Sequence, residues 1–171
     1  MADIQYNFIN LPSRIEFENG HVISYLYDAD GIKLRTTHII GSDTTVTDYC
    51  GNVIYENGIP VKLLTEAGYV TLADSKYHYF VQDHLGNNRV VVDQSGNVEE
   101  VNHYYPFGGL LSSSVSNAVQ PYKYNGKELD RKNGLDWYDY GACMYDAALG
   151  RWHAVDPMSE KYYSWSPYTY C

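Results

Sequence analysis

The sequence has little basic charge, no long apolar run and no recognisable leader. Only 12 lysines and arginines stand against 21 aspartates and glutamates, which gives a formal net charge of -9. Such a charge repels phosphate backbones, which argues against nucleic acid as a partner. No stretch approaches the roughly 20 apolar residues of a membrane helix, and the opening "MADIQYNFINLPSRIEFENG" lacks the basic and apolar regions of a signal peptide. We predict neither membrane insertion nor a signal peptide in this chain.

Cysteine and histidine are also scarce, and neither is spaced for metal binding. The cysteines are Cys50, Cys143 and Cys171, without a CxxC pair. An odd number cannot pair completely within one chain, so we expect reduced thiols. Three histidines fall in the middle of the sequence: His78, His84 and His103. They lack the His-x-x-x-His spacing of a helical metal site, so the sequence predicts no metal and no cofactor.

A long amphipathic helix is missing as well, and only 127–131 and 157–162 have short helical patterns. The chain is instead rich in tyrosine, with 19 against 4 phenylalanines, and in Asn-Gly and Gly-Asn turns. Runs such as "HVISYLY", "YHYFVQ" and "NRVVVD" between those turns are typical of β-strands. We predict an all-β fold, a curved antiparallel sheet of stacked β-hairpins, with short helical turns in the C-terminal segment.

Three hairpin ends share an Asp-x-x-Gly pattern: "YLYDADG" at 25–31, "YFVQDHLG" at 79–86 and "VVVDQSG" at 90–96. The aspartate can accept hydrogen bonds from amides of its own turn, and the glycine can adopt a positive φ. The pattern explains Asp83 as a turn residue, and strand neighbours point to opposite faces, so Asp83 and His84 are not predicted to form a catalytic dyad. In the first repeat Tyr25 and Tyr27 share one sheet face while Leu26 points to the other, and we expect contacts on both faces.

The serine-rich stretch 112–117 has neither strand nor helix periodicity and marks the best internal boundary. We predict β-hairpin repeats over residues 1–111, a loop over 112–120 and a C-terminal unit over 121–171.

That C-terminal unit contains four recognisable segments: "GKELD" at 126–130, "WYDYGACMYDAALGRW" at 137–152, "DP" at 156–157 and "SPYTYC" at 166–171. They resemble the repeat-associated core domain of the RHS or YD-repeat family, and "YFVQDHLGNNRVVVDQSGNVEEVNHYYPFG" is similar to the last repeat before that core. The chain departs from the family pattern at Cys143, where arginine is usual, and at Ala147, where proline is usual. It also begins like an internal repeat and stops before the family's final Asp-Pro-x-Gly, so we expect a fragment with a partial core domain.

The resemblance implies a spiral of β-hairpins that forms a hollow shell, as in polymorphic toxins and insecticidal toxin complexes. The core domain plugs this shell, which encloses a variable C-terminal toxin domain. The structural repeat positions in this chain would be Tyr25, Tyr27, Asp28, Gly31, Tyr79, Asp83, Gly86, Asp93, Gly96, Tyr138, Asp139, Tyr140, Gly141, Tyr145, Asp146, Gly150, Trp152 and Pro157.

In several relatives the core is also an aspartyl self-protease, and its arginine and one of its carboxylates would correspond to Arg151 and Asp156. An acid protease needs two carboxylates that share a proton, and the second would lie in the missing tail. We therefore interpret Arg151 and Asp156 as a braced pair or turn cap, and His153 as a packed or surface residue.

We predict a non-catalytic scaffold of an RHS shell that encapsulates and delivers a C-terminal toxin or effector domain. Its partners would be the rest of the shell and the enclosed domain, and the whole protein would be secreted or displayed on the cell surface. Open strand edges would favour self-association. One alternative is a glycan-binding module, with tyrosine faces and polar contacts from Asp136, Asp139 and Asp146. The other is a self-cleaving aspartyl core.

Overall fold

The computed structural model describes residues 3–112, 114–116, 120–156 and 158–170. The first part of the chain forms one twelve-stranded antiparallel sheet, here called the wall. Its strands are β1 Asp3–Tyr6, β2 Pro12–Glu16, β3 Val22–Tyr27, β4 Lys33–Ile40, β5 Asp43–Cys50, β6 Val53–Glu56, β7 Ile59–Thr65, β8 Gly68–Thr71, β9 Lys76–Gln82, β10 Asn88–Asp93, β11 Val98–Val101 and β12 Val115–Ser116.

Each wall strand pairs with its neighbours in sequence, and short turns join all of them except β11 and β12, which a longer connection links. Asn57 and Gly58, between β6 and β7, have φ angles of 51° and 79°. Two successive positive φ values characterise the hairpin turn whose twist matches that of the flanking strands. The Asn57-Gly58 pair therefore sets the pairing of β6 with β7 by local chemistry.

A second antiparallel sheet of four strands, here called the core sheet, follows the wall. It contains β13 Glu128–Asp130, β14 Trp137–Asp139, β15 Met144–Asp146 and β16 Arg151–Trp152, with short 3₁₀ turns η1 Tyr124–Gly126, η2 Lys132–Gly134 and η3 Ser159–Lys161. A backbone bridge from Arg151 to Thr169 brings the last described residues to the edge of this sheet.

Two hydrophobic clusters hold these parts together. The first joins the wall to the core sheet and contains Ile15, Ile23, Tyr25, Leu135, Trp137 and Met144. The second lies in the C-terminal unit and contains Tyr124, Leu129, Tyr138 and Tyr145. Full burial of one large apolar side chain is worth roughly 1.5–3 kcal/mol. The first cluster therefore fixes the core sheet on one face of the wall, here called the inner face.

The all-β prediction is confirmed, and three details differ from the sequence expectation. The helical pattern at 127–131 is wrong, because Glu128–Asp130 pairs with β14 and buries Leu129. The expectation that β3 makes contacts on both faces is wrong at Leu26, whose side chain is exposed on the outer face. Within the predicted loop 112–120, Val115–Ser116 pairs with β11, while positions 113 and 117–119 lie outside the described residues. The turn η3 falls within the predicted helical segment 157–162.

Candidate functional site at the interface of the wall and the core sheet

Asp28, Asp83 and Asp93 form the same turn at the ends of three wall strands. In each turn the carboxylate Oδ1 accepts hydrogen bonds from the amides two and four residues later, at 2.8–3.1 Å. The amide three residues later belongs to a glycine with positive φ and donates to the aspartate carbonyl oxygen. Hydrogen bonds from the Asn97 side chain and from the turn amides lower the pKa of Asp93. The aspartate side chains thus stabilise the backbone of their own turns by accepting hydrogen bonds from its amides.

The predicted repeat positions of the core sheet have related roles. The Asp139 carboxylate accepts a hydrogen bond from the Gly141 amide, and the Asp146 carboxylate accepts two from the amides of residues 148 and 149. The Gly150 amide donates to the Asp146 carbonyl oxygen. Among the aromatic repeat positions, Tyr25, Tyr138 and Tyr145 are buried, Tyr27, Tyr140 and Trp152 are half-buried, and Tyr79 is exposed. Pro157 lies outside the described residues.

Lys33 carries the main ionic contact between the wall and the core sheet. Its Nζ lies 2.8 Å from Glu128 Oε2 and 2.7 Å from Asp139 Oδ2. The Tyr49 hydroxyl on the neighbouring strand β5 donates to Glu128 Oε1 at 2.7 Å. Burial alone would lower the pKa of Lys33, but the charges of Glu128 and Asp139 raise it well above its ordinary value. The interface therefore buries charge in paired form, as a low-dielectric environment requires.

Asp130 forms a second polar contact across the same interface. Its Oδ2 lies 2.9 Å from His38 Nε2 and accepts a hydrogen bond from the Tyr25 hydroxyl at 3.0 Å. Its Oδ1 accepts the backbone amide of Lys132 at 3.1 Å. Burial works to raise the pKa of Asp130, but the hydrogen bond and charge of His38 outweigh it and lower that pKa. The contacts hold β13 against β3 and β4.

Three core tyrosines support the loop that contains the "YPFG" motif. The hydroxyls of Tyr124, Tyr145 and Tyr138 donate to the carbonyl oxygens of residues 106, 107 and 108, at 3.1, 2.9 and 2.8 Å. Gly108 has a φ of 86°, and a Cβ atom placed there would lie 2.6 Å from the Tyr124 ring. The tyrosine hydroxyls thus satisfy backbone acceptors that the loop cannot pair itself.

A cleft of about 460 Å³ remains between the wall and the core sheet. Its lining includes side chains of both charge signs, among them Glu56, Lys62, Lys123 and Glu128. Lys123 and Glu128 already take part in ion pairs within the protein. The cleft therefore lacks the single-sign field that would select an ionic ligand.

Arg151 and Asp156, the candidate self-cleavage residues, contact different parts of the chain. The Arg151 guanidinium lies 4.5 Å from the centroid of the Tyr168 ring. The Asp156 carboxylate accepts the Met158 amide at 2.8 Å, which caps a turn. Over residues 3–156 and 158–170, with their gaps, no ion pair joins Arg151 to Asp156 and no second carboxylate forms a hydrogen bond with Asp156. His153 packs on Trp137 with ring centroids 3.5 Å apart, and burial lowers its pKa.

The aromatic and acidic residues of the glycan hypothesis are mostly engaged inside the fold. Asp139 pairs with Lys33, and Asp146 caps a turn, whereas Asp136 forms an exposed pair with Arg131 at 2.9 Å. On β9, however, Tyr77 and Tyr79 present stacked rings with centroids 6.5 Å apart. Their side chains are 50% and 42% exposed.

A buried polar cluster lies where the wall meets the C-terminal unit. Glu100 Oε1 accepts hydrogen bonds from Lys123 Nζ at 2.5 Å, from Asn102 Nδ2 at 2.5 Å and from Gln120 Nε2 at 2.9 Å. All four residues are buried. Burial lowers the pKa of Lys123, while the hydrogen bond and charge of Glu100 oppose that effect.

The sequence predictions missed Lys33, His38, Asp130 and the Glu100 cluster. Lys33 and Glu128 are 95 positions apart, and His38 and Asp130 are 92 apart. No local pattern distinguishes Lys33 from the exposed Lys76, because only the position of the core sheet makes one of them buried. The available signal was the presence of polar residues at inward-facing positions of predicted strands. That signal does not identify the residues with which they pair.

In the part of the chain that the structure describes, no helix has the length and apolar character needed to cross a membrane. The same residues contain no group of three histidine, cysteine, aspartate or glutamate side chains arranged to hold a metal ion. Cys50 and Cys143 are both free thiols, the first exposed and the second buried, and Cys171 lies outside the described residues.

Comparison with known proteins gives a consistent set of similarities. The family model of the teneurin YD-shell matches residues 62–168. Salivary gland surface protein 1 of Aedes aegypti is 31% identical over 183 residues, which cover 92% of this chain and 5% of that protein. Toxin subunit YenC1 of Yersinia entomophaga is 30% identical over 128 residues, which cover 65% of this chain and 13% of that protein. The chain thus spans a small part of the length of either relative.

Solved structures share the fold at lower identity. The crystal structure of TcdB2-TccC3-TEV matches with a TM-score of 0.74 and 18% identity, over 91% of this chain and 9% of that one. The structure of the Photorhabdus luminescens Tc holotoxin pore matches with a TM-score of 0.74 and 19% identity, over the same shares. At this low sequence identity, the match shows only that the strands are arranged in a similar way.

Proposed function

Because this chain belongs to the teneurin YD-shell family, we propose that it is a section of shell wall with its core sheet in place. In this proposal it is a non-catalytic scaffold within a larger protein that is secreted or displayed on the cell surface. The shell encloses a C-terminal toxin or effector domain, and the core sheet closes the shell from the inner face.

The packing of the core sheet on the inner face of the wall carries this proposal. A shell that encloses another domain needs an internal surface fixed firmly enough to keep that domain in place. Ile23 and Trp137 in the shared hydrophobic cluster, and Lys33 between two carboxylates, give such a contact. The interface combines apolar burial, which favours a lasting contact, with buried charges that are paired, so that no isolated charge opposes it.

The residues of the self-cleavage hypothesis support a structural role. An acid protease needs two carboxylates near one another, and Asp156 instead caps a turn through the Met158 amide. We expect the purified chain to keep its mass during incubation at acid and neutral pH, with Asp156→Asn behaving in the same way. A cleavage product that disappears in Asp156→Asn would assign the self-protease function instead.

The encapsulation proposal is tested in the longer protein that contains this chain. Sequencing on both sides of the reading frame should reveal further in-frame repeats upstream and a cargo domain downstream. The double variant Lys33→Met with Asp130→Asn should expose that domain to protease, because it removes the Lys33 ion pairs and the negative charge of Asp130 from the inter-sheet contact. The control pair Lys76→Met with Asp136→Asn removes exposed ion pairs and should leave the domain protected. Digestion of the wild-type cargo as fast as the isolated domain would contradict enclosure.

Self-association follows from the open ends of the wall. Among the described residues, β1 and β12 stand at the two ends of the sheet order, and edge strands offer backbone groups with which another strand can pair. We expect the isolated chain to form oligomers with rising concentration in analytical ultracentrifugation. A monomer over the whole soluble range would count against a wall that continues into neighbouring repeats.

A second candidate function rests on the exposed stack of Tyr77 and Tyr79. Their adjacent rings form a platform of the kind on which sugar rings stack. Binding to a polysaccharide array that is lost in Tyr77→Ala with Tyr79→Ala would favour a glycan-binding module. The matched control is Tyr105→Ala, which removes another exposed tyrosine away from that stack.

A further inference from the structure

In the interior of the protein, a lysine amine and an asparagine amide both donate hydrogen bonds to the same oxygen atom of a glutamate side chain. Glu100 Oε1 lies 2.5 Å from Lys123 Nζ and 2.5 Å from Asn102 Nδ2. Glu100, Asn102 and Lys123 are 0%, 1% and 2% exposed. We propose that this cluster forms an intramolecular isopeptide bond between Lys123 Nζ and Asn102 Cγ, with Glu100 as the acid-base group.

The Asn102 amide is held in the orientation that this reaction needs. Its Nδ2 donates to the backbone carbonyl oxygen of Asn88 at 3.0 Å as well as to Glu100 Oε1. A backbone carbonyl oxygen only accepts hydrogen bonds, so this contact identifies the atom as the amide nitrogen. The nitrogen that must leave therefore faces the carboxyl group that would give it a proton.

The surroundings of Lys123 favour the reactive form of its amine. Only a neutral amine can act as a nucleophile. Burial lowers the pKa of Lys123, and a proton can pass from Nζ to Glu100 across their hydrogen bond. The transfer leaves a neutral amine and a neutral acid, which removes two charges from a site without access to water.

Three buried oxygen atoms of the cluster have no hydrogen-bond partner among the residues that the structure describes: Glu100 Oε2, Asn102 Oδ1 and Gln120 Oε1. A carboxylic acid and a primary amide are complementary, since the acid C=O accepts the amide N–H and the acid O–H donates to the amide oxygen. In the acid form that the proton transfer from Lys123 produces, the acid O–H would be a donor that the unpartnered amide oxygen atoms lack, and a hydrogen bond from it to Asn102 Oδ1 would polarise the carbonyl for attack.

The atoms and protons of the reaction balance within the cluster. The lone pair of Lys123 Nζ forms a bond to Asn102 Cγ, and a proton from Nζ passes through Glu100 to Nδ2. The Cγ–Nδ2 bond breaks and ammonia leaves, while the proton first taken from the lysine ammonium remains on Glu100. The product is a secondary amide that joins the residue after β11 to the residue before η1. It would tie the wall covalently to the C-terminal unit.

The mass of the purified 171-residue chain tests the proposal directly. The denatured wild-type protein should be lighter than its sequence by one ammonia molecule. Proteolysis and tandem mass spectrometry should give a branched peptide that joins Asn102 to Lys123. A full-mass chain with both residues unmodified would overturn the proposal, and so would a branch located at Gln120.

Variants separate the cross-link from a succinimide at Asn102, which also releases ammonia. Lys123→Arg keeps the positive charge but removes the primary amine, so it should have full mass, as should Glu100→Gln. The control Lys76→Arg changes an exposed lysine and should retain the ammonia loss. Ammonia loss that persists in Lys123→Arg would identify a succinimide and overturn the proposal. Where a variant does not fold, the wild-type peptide map alone decides.

Discussion

The imidazole Nε2 of His38, on the wall, lies 2.9 Å from the carboxylate Oδ2 of Asp130, on the core sheet. This contact lowers the pKa of Asp130 in the folded protein, against the opposing effect of burial. The unfolded chain therefore binds a proton on this carboxylate more readily than the folded one. The resulting stabilisation is complete above the ordinary aspartate pKa of about 3.9 and is lost as the pH falls toward the lower folded-state value.

We accordingly expect the free energy of unfolding to fall with decreasing pH below about 4. Asp130→Asn should remove that part of the acid dependence and destabilise the protein at neutral pH by about 1–3 kcal/mol, because one uncharged amide oxygen replaces the two carboxylate oxygens that accept from Tyr25, His38 and the Lys132 amide. Urea unfolding at several pH values measures both effects. Asp136→Asn, at an exposed pair, is the control. An acid profile unchanged by Asp130→Asn would contradict the assignment.

Gly96 and Gly108 have the same backbone conformation, so alanine substitutions at the two positions separate the cost of backbone strain from the cost of a steric contact. Gly108 has a φ of 86° and Gly96 a φ of 84°. A Cβ atom at Gly96 would meet nothing within 4 Å, whereas one at Gly108 would lie 2.6 Å from the Tyr124 ring. We expect Gly96→Ala to cost about 1–2 kcal/mol from the left-handed backbone alone. Gly108→Ala should cost more, because the ring must also move. Equal losses of unfolding free energy, measured with urea, would show that the Tyr124 ring moves aside without an energetic cost.

The sequence predicts the wall well because its elements are set locally. Asn57 and Gly58 specify a hairpin without help from the rest of the chain, and Asp83 organises its own turn. The RHS or YD-repeat resemblance, based on such local motifs, is confirmed by the family match. The strand at Glu128–Asp130 was missed because glutamate and leucine favour helix, while its pairing with Trp137–Asp139 depends on tertiary structure.

The interface contacts are less predictable, since they depend on which face of each strand the core sheet covers. Lys33 and Glu128 come together across 95 positions, and Glu100 and Lys123 across 23. A charged residue on a predicted strand is ordinarily interpreted as solvent-facing. Burial of these charges is decided by packing that a single sequence does not encode locally.

The two described cysteines should differ sharply in reactivity. Cys143 is buried, and burial together with the charge of Asp156 raises its pKa to about 11. Its thiolate form is therefore scarce at neutral pH. In a Cys171→Ser background, a thiol reagent at pH 7 should label the exposed Cys50 and leave Cys143 unmodified until denaturant is added. Labelling of both cysteines at equal rates in the native protein would show that the C-terminal unit opens readily.

Lys33 should be a sensitive charged residue of the interface, because it pairs with two carboxylates. Its removal in Lys33→Met leaves Glu128 and Asp139 facing each other in a partly buried site without a cation, a loss expected to cost about 3–5 kcal/mol. Lys76→Met, which breaks the exposed pair with Asp74, should change the free energy of unfolding little.

The cause of that loss is tested by removing the uncompensated charges as well. The triple variant Lys33→Met, Glu128→Gln, Asp139→Asn should recover a substantial part of the stability, because neutral amides no longer repel one another. Urea unfolding of the single and triple variants makes the comparison. If the triple variant is as unstable as Lys33→Met, the role of Lys33 lies in the contact of its ammonium group with the Tyr49 ring, whose centroid is 4.7 Å from Nζ. The ion pairs would then contribute little to holding the core sheet on the wall.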